Sequence, residues 1–152
     1  MKNLDNKVVK GFGDEWKRFD QESLSKSEHE DLFMRYFHIF PFEKINTSSI
    51  GFDMGCGSGR WAKKIAQFVQ TLHCIDPSKE ALETAKINLK EHENVIFHLS
   101  SVDDLKVNNN YFDFGYSLGV LHHIPDTESA LKNCSDLLKP GAPFLLYLYY
   151  RF

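Results

Sequence analysis

Three glycines at alternate positions, Gly55, Gly57 and Gly59, follow the short apolar stretch Ile50-Gly51-Phe52-Asp53-Met54 and precede Arg60-Trp61-Ala62. Glycines spaced in this way let the chain turn tightly and bring bare main chain against a ligand. A helix opening directly after them adds free N–H groups aimed at the same place. The spacing departs from the dinucleotide fingerprint G-x-G-x-x-G, because the third glycine comes one residue early and Arg60 stands where the fingerprint needs glycine. Asp53, two residues before the first glycine, would repel a pyrophosphate and suits an ammonium group. The ligand that fits carries an amine near the loop, as a zwitterionic amino-acid tail does; the plain alternative is a flexible turn. Cys56, inside the loop, reads as a small residue that fits there, with nothing local to lower its thiol pKa.

A second acid extends the pattern. Leu72-His73-Cys74-Ile75-Asp76-Pro77-Ser78 reads as another short strand ending in Asp76, about twenty residues after the first glycine, where an α/β nucleotide fold places the carboxylate that grips a ribose diol. The alternative for Asp76 is an ordinary helix-capping acid.

Two further stretches complete the series: Phe112 to Asp126, containing Ser117-Leu118-Gly119 and His122-His123, and Leu137-Leu138-Lys139-Pro140-Gly141. With D-x-G-x-G-x-G and I-D-P-S before them, in this order, the chain resembles the class I S-adenosylmethionine-dependent methyltransferases, and most closely their small-domain type 11 branch, from about Ile50 to its end. The resemblance implies S-adenosylmethionine as cofactor. It sets Gly55, Cys56, Gly57 and Gly59 against the amino-acid tail, with Asp53 near its ammonium directly or through water. Asp76 and Pro77 fall at the ribose, Ser101, Val102 and Asp103 at the adenine, and Ser117 and Leu118 beside the methionine. Ser101 stands where the family usually has Asp, so Asp103 is the acid assigned to the adenine amine, although Asp103 and Asp104 also read as a solvated turn. Lys106 replaces a usual proline.

The elements that must position these residues follow from periodicity. Met1 to Lys10 is polar and expected to be loose. Phe12, Trp16 and Phe19 lie at i, i+4, i+7 and suit either packing on the body or a lid over the site. Ser27 with Glu30 reads as a capping box for a helix whose apolar stripe is Phe33, Tyr36, Phe37 and Phe40, ended by Pro41. After the first strand, a helix over about 60–69 should turn Trp61, Ile65 and Phe68 to the sheet. Ser78 caps a helix bearing Ala81, Leu82, Ala85 and Leu89. Strands are expected at Val95–Leu99, Phe112–Ser117 and Ala142–Tyr150, with a helix capped by Asp126 or Thr127 before the last of them. This is an α/β, Rossmann-like reading, with residues 1–45 a helical extension or lid and 46–152 the cofactor-binding core. The family sheet runs 3-2-1-4-5-7-6. Here the series stops after strand five, so the expectation is a parallel sheet of order 3-2-1-4-5 without the last two strands. Strand five would then be a bare apolar edge, which points to a truncated chain or to self-association through that edge.

Composition narrows the function classes. At 152 residues the chain suits a single domain. Its net charge of −3 gives no general case for nucleic-acid or anionic-membrane binding. No run approaches a membrane span, and the polar N-terminus is unlike a signal peptide. Three separated cysteines without C-x-x-C suit reduced thiols in a cytoplasm and no structural metal. His122 and His123 are adjacent and cannot easily present both rings to one ion, so a structural role or a general base suits them better. The expected reaction is methyl transfer to a small-molecule acceptor, and no residue declares itself as the catalytic group. Two alternatives stay open: a module that binds cofactor or partner without turnover, and a nicotinamide oxidoreductase, which the early third glycine and Asp53 oppose.

Overall fold

The computed structural model describes residues 3–11 and 25–149. Five strands form one parallel sheet of order β3-β2-β1-β4-β5: β1 (Ile50–Met54), β2 (Thr71–Asp76), β3 (Val95–Leu99), β4 (Phe114–Leu118) and β5 (Phe144–Tyr147). The helices are α1 (6–11), α2 (Lys26–Phe37), α3 (Ala62–Ile65), α4 (Lys79–Asn88) and α5 (Thr127–Leu137). This is the Rossmann-like architecture and strand order expected from the sequence. Phe12, Trp16 and Phe19 lie outside the described residues.

β1 and β2 are buried along all but their first residues, as strands covered on both faces are. One face packs on α2, α3 and α4 through Phe37, Ile65, Leu72, Leu82 and Phe114. The other packs on α5 through Phe52, Ile75, Phe112, Ala130 and Cys134. β1 and β4 are locked by reciprocal glycine–phenylalanine pairs. Gly51 is level with Phe114, and Phe52 with Gly115. A Cβ on Gly51 would stand 2.0 Å from the Phe114 ring, and one on Gly115 2.3 Å from that of Phe52. Each ring therefore lies across the neighbouring strand's bare backbone, which fixes the register of β1 and β4 at their amino-terminal starts, away from the site.

Several element boundaries differ from the periodicity. The cap of α2 is Ser25 with Glu28, not Ser27 with Glu30. Both S-x-x-E pairs are present in the sequence, and the earlier one closes reciprocally on the backbone. The stripe of α2 holds: Phe33, Phe37 and Phe40 are buried, with Phe33 stacked on Phe37 at 4.4 Å and Phe37 edge-on to Tyr116 at 5.3 Å. The helix expected over 60–69 is regular only at Ala62–Ile65 and continues in turns, which leaves Phe68 47% exposed. β4 starts two residues late, because Phe112 makes an isolated bridge to Leu138. β5 is shorter than expected, and among the described residues it pairs only with β4. The N-terminal stretch is not loose where it is described: Asp5 Oδ1 accepts from Lys7 and Val8 N–H and starts α1. Among the described residues no helix is long and apolar enough to cross a membrane.

Candidate active site

The carboxyl ends of β1, β2, β3 and β4 meet at one cavity, as expected of an open parallel sheet. Gly55, Gly57 and Gly59 all take positive φ, +77°, +53° and +79°, so the loop turns through conformations that favour glycine. Gly55 and Cys56 N–H donate to the Ile75 carbonyl at 2.8 and 3.1 Å, and Gly59 N–H donates to that of Cys56 at 2.9 Å. The Ser117 hydroxyl donates to the Met54 carbonyl at 2.9 Å, tying the end of β4 to that of β1.

Two carboxyls end β1 and β2, and they differ. Asp76 is anchored: Oδ2 accepts from Gly57 N–H at 3.0 Å and Oδ1 from Ser78 N–H at 2.8 Å. Burial pushes its pKa up, and these two N–H groups oppose the rise. Asp53 is almost fully buried, and its Oδ2 has no hydrogen-bond partner, nor has the buried Tyr116 hydroxyl. Burial drives the Asp53 carboxyl up to about 8. The nearby Tyr116 hydroxyl opposes that rise, Asp76 adds to it and the Arg60 guanidinium opposes it. Asp53 is thus a buried acid with an unused acceptor.

Of the residues singled out in the sequence, Asp53, Gly55, Cys56, Asp76, Pro77, Ser101, Val102 and Leu118 line the cavity. Gly57, Gly59, Ser117 and Asp103 are not among its lining residues. Gly57 holds Asp76, Gly59 packs against Leu89 of the α4 cap, and Ser117 is buried between strands. Asp103 accepts from the Asn133 amide on α5. Ser101 donates to Asp104 at 2.9 Å.

Sequence reasoning missed part of the lining. Arg60 and Trp61 line the cavity, with the guanidinium 4.2 Å over the Trp61 ring, and Val120, His123 and Ile124 line its far side. The roof is α1 and the residues before it, through Leu4, Val8 and Val9. A two-point contact pins that roof: Asn3 Nδ2 donates to the Asp126 carbonyl at 2.9 Å, and Asp126 N–H donates to Asn3 Oδ1 at 2.8 Å. The only signal for it was Asp5 followed by a helix-compatible run.

Comparison with known proteins agrees with this geometry. A family model described as "Methyltransferase domain" matches residues 52–146. Similar curated proteins include the ubiquinone biosynthesis O-methyltransferases of Vibrio atlanticus, 28% identical over 142 residues, and of Nitrosospira multiformis, 30% identical over 125. These alignments take in 91% and 81% of this chain but 60% and 52% of the relatives, so the chain spans little more than half their length. Among solved structures, the N-methyltransferase NodS from Bradyrhizobium japonicum, in complex with S-adenosylhomocysteine, superposes with a TM-score of 0.72 at 21% identity, over 92% of this chain and 72% of that one. On the family match, the fold and the strand order, this chain belongs to the class I S-adenosylmethionine-dependent methyltransferase family.

Proposed function

We propose that the chain binds S-adenosylmethionine and carries the cofactor half of a methyltransferase acting on a small-molecule acceptor. The observation that carries this reading is the unpartnered Oδ2 of buried Asp53, which lines the same cavity as the glycine loop and Asp76. The residues present suit this cofactor. An ammonium group would satisfy Asp53 and draw its proton off. Asp76, already oriented by two N–H groups, keeps a second lone pair on each oxygen for a diol. Ser100 to Val102 supply polar and apolar lining for a flat base, and Leu4, Val8 and Val9 supply an apolar cover.

When bound, the cofactor supplies an electrophilic methyl group. This chain's residues bind, orient and exclude water, which is the protein's main share of such a displacement. The names of the relatives support an oxygen acceptor. Calorimetric titration with S-adenosylhomocysteine tests the reading. Micromolar binding coupled to proton release near pH 7 is expected, because Asp53 is protonated there in the free protein and ionised beside an ammonium. Absence of binding by the folded chain would refute it.

A further inference from the structure

Beneath the glycine loop lies a pair of thiols that methyl transfer does not use. Cys74 of β2 is level with Asp53 of β1 and fully buried. Cys56 lies beyond the end of β1, and the loop carries it back over β2: its N–H donates to the carbonyl of Ile75, next to Cys74, at 3.1 Å. Both side chains enter one core cluster, on the sheet face that packs on α2 and α3. They act on each other directly there. The Cys74 thiol is the largest influence on the ionisation of Cys56, and the Cys56 thiol the largest on that of Cys74. No disulfide joins them, and both are free thiols. The third cysteine, Cys134, is buried in the cluster on the opposite face.

Access sets an order for the pair. Cys56 lines the cofactor cavity and Cys74 does not. A small oxidant in the cavity therefore meets Cys56 first, with Cys74 behind it as a resolving thiol. The Cys74 contact, burial and the carboxyls of Asp53 and Asp76 push the Cys56 thiol well above its ordinary value. For Cys74 the Cys56 contact acts downwards, and burial and the same carboxyls outweigh it. Little thiolate is present at neutral pH, so oxidation is slow there and quickens as pH rises. Cys56 is also part of the turn itself. Its Sγ donates to the Gly57 carbonyl at 3.8 Å, and Gly57 N–H in turn holds Asp76 Oδ2 at 3.0 Å.

We infer that Cys56 and Cys74 form a reversible disulfide, with hydrogen peroxide as the oxidant, and that this bond weakens cofactor binding. In the first step the Cys56 sulfur attacks one peroxide oxygen and the O–O bond breaks. The sulfur becomes a sulfenic acid, and the other oxygen leaves as water. In the second step the Cys74 sulfur attacks that of Cys56. The S–S bond forms as the S–OH bond breaks, and a second water leaves. The two thiols together lose two electrons and two protons, and the peroxide is reduced to two waters. The sulfurs of a disulfide stand about 2 Å apart, so the bond draws Cys56 off the Gly57 carbonyl and down towards β2. The turn that presents Gly57 N–H to Asp76 moves with it. The loss of cofactor affinity rests on the methyltransferase reading above; the cross-link does not.

The test treats the whole reduced chain with hydrogen peroxide at about pH 8, alkylates the remaining thiols and maps the peptides by mass spectrometry. A linked Cys56–Cys74 peptide is expected, with Cys134 still alkylated and the link reversed by dithiothreitol. Calorimetry with S-adenosylhomocysteine follows. The oxidised chain should bind at least about tenfold more weakly than the reduced one, and dithiothreitol should restore the affinity. Reduced Cys74→Ser should bind within about twofold of the parent. On oxidation it should form no link, and its Cys56 should instead react with dimedone as a sulfenic acid. Absence of the linked peptide from the parent chain, where no variant has to fold, would overturn the proposal, and so would a linked chain of unchanged affinity. Failure of the reduced, folded chain to bind would overturn the cofactor reading and with it the control of binding, while the peptide map would still decide the cross-link.

Discussion

The cofactor half of the site and the aromatic wall beside it are built from different materials. The cofactor half is main chain and carboxylate: a glycine loop in left-handed turns, one aspartate held by two N–H groups, and one buried with an open oxygen. The wall beside it is side-chain aromatic, with Tyr36, Trp61, Tyr147 and Tyr149 in edge and tilted contacts near the Arg60 guanidinium. The first half comes largely from two short segments, 53–61 and 76–78. The second draws on a helix before the sheet, the glycine loop and the far edge strand. A ligand pocket can thus be shaped by local backbone geometry, whereas ring-on-ring packing requires residues that only the assembled fold brings together.

The largest effect is expected from a change beneath both halves. Gly51→Val puts branched carbon where the Phe114 ring lies, with the Cβ position only 2.0 Å away. It should cost about 3 kcal/mol and lower the melting temperature by roughly 6–12 °C, in a thermal scan followed by circular dichroism. Loss of both halves at once is the expected signature.

Asp76→Ala attacks the cofactor half alone. It removes the acceptor that holds Gly57 and Ser78 N–H. S-adenosylhomocysteine affinity should fall about 10- to 150-fold by calorimetry, from roughly 1.5–3 kcal/mol of charge-assisted hydrogen bonding. An unchanged affinity would move the ribose elsewhere.

Asp53→Asn separates the roles of the two acids. The folded-state pKa of Asp53 is raised, to about 8, above its ordinary 3.8. The folded chain therefore binds more protons between those values, and the stability linked to this group is present below 3.8 and lost as pH rises towards 8. The Asp53→Asn protein should thus melt higher than the parent at pH 8 when free, while binding S-adenosylhomocysteine more weakly. A variant that lost both stability and affinity would contradict the reading of Asp53 as a buried, unpartnered ligand group.

The β2–β3 side of the sheet, outside the cavity lining, should also be sensitive to acid. His73 of β2 and His98 of β3 stack at 4.9 Å with ring nitrogens 2.9 Å apart. Burial, and for His73 also the His98 ring, lower both pKa values, that of His73 to about 4. The unfolded chain binds more protons as pH falls below 6.5, so stability is full above 6.5 and declines towards pH 4. His98→Phe should flatten the fall in melting temperature between about pH 7 and 5.

The smallest effect is expected at the roof. Asn3→Ala deletes two exposed hydrogen bonds to the Asp126 backbone, worth about 0.5–1 kcal/mol together in such a setting. S-adenosylhomocysteine should dissociate about two- to fivefold faster in stopped-flow, with the melting temperature almost unchanged.

The glycine loop and the two acids are legible in the chain before it folds, and with the motifs that follow them so is the strand order. Each is written in a few consecutive residues whose backbone needs are strict. Positive φ at three alternate positions calls for glycine, and an acid at a strand end needs no distant partner to be recognised. The cap of α2 was ambiguous for the same local reason, since two S-x-x-E pairs overlap, and the docking of Phe33 and Phe37 on the sheet goes with the earlier one. Other features had no local trace. Asp103 bonds Asn133 on α5, thirty residues on, and Asn3 reaches Asp126, 123 residues away. Tyr36, Trp61 and Tyr149 come to one wall from three separate segments. Side-chain contacts across such separations leave no periodicity in the chain. They exist only after β1, β4 and β5 have set the distances between the segments that carry them.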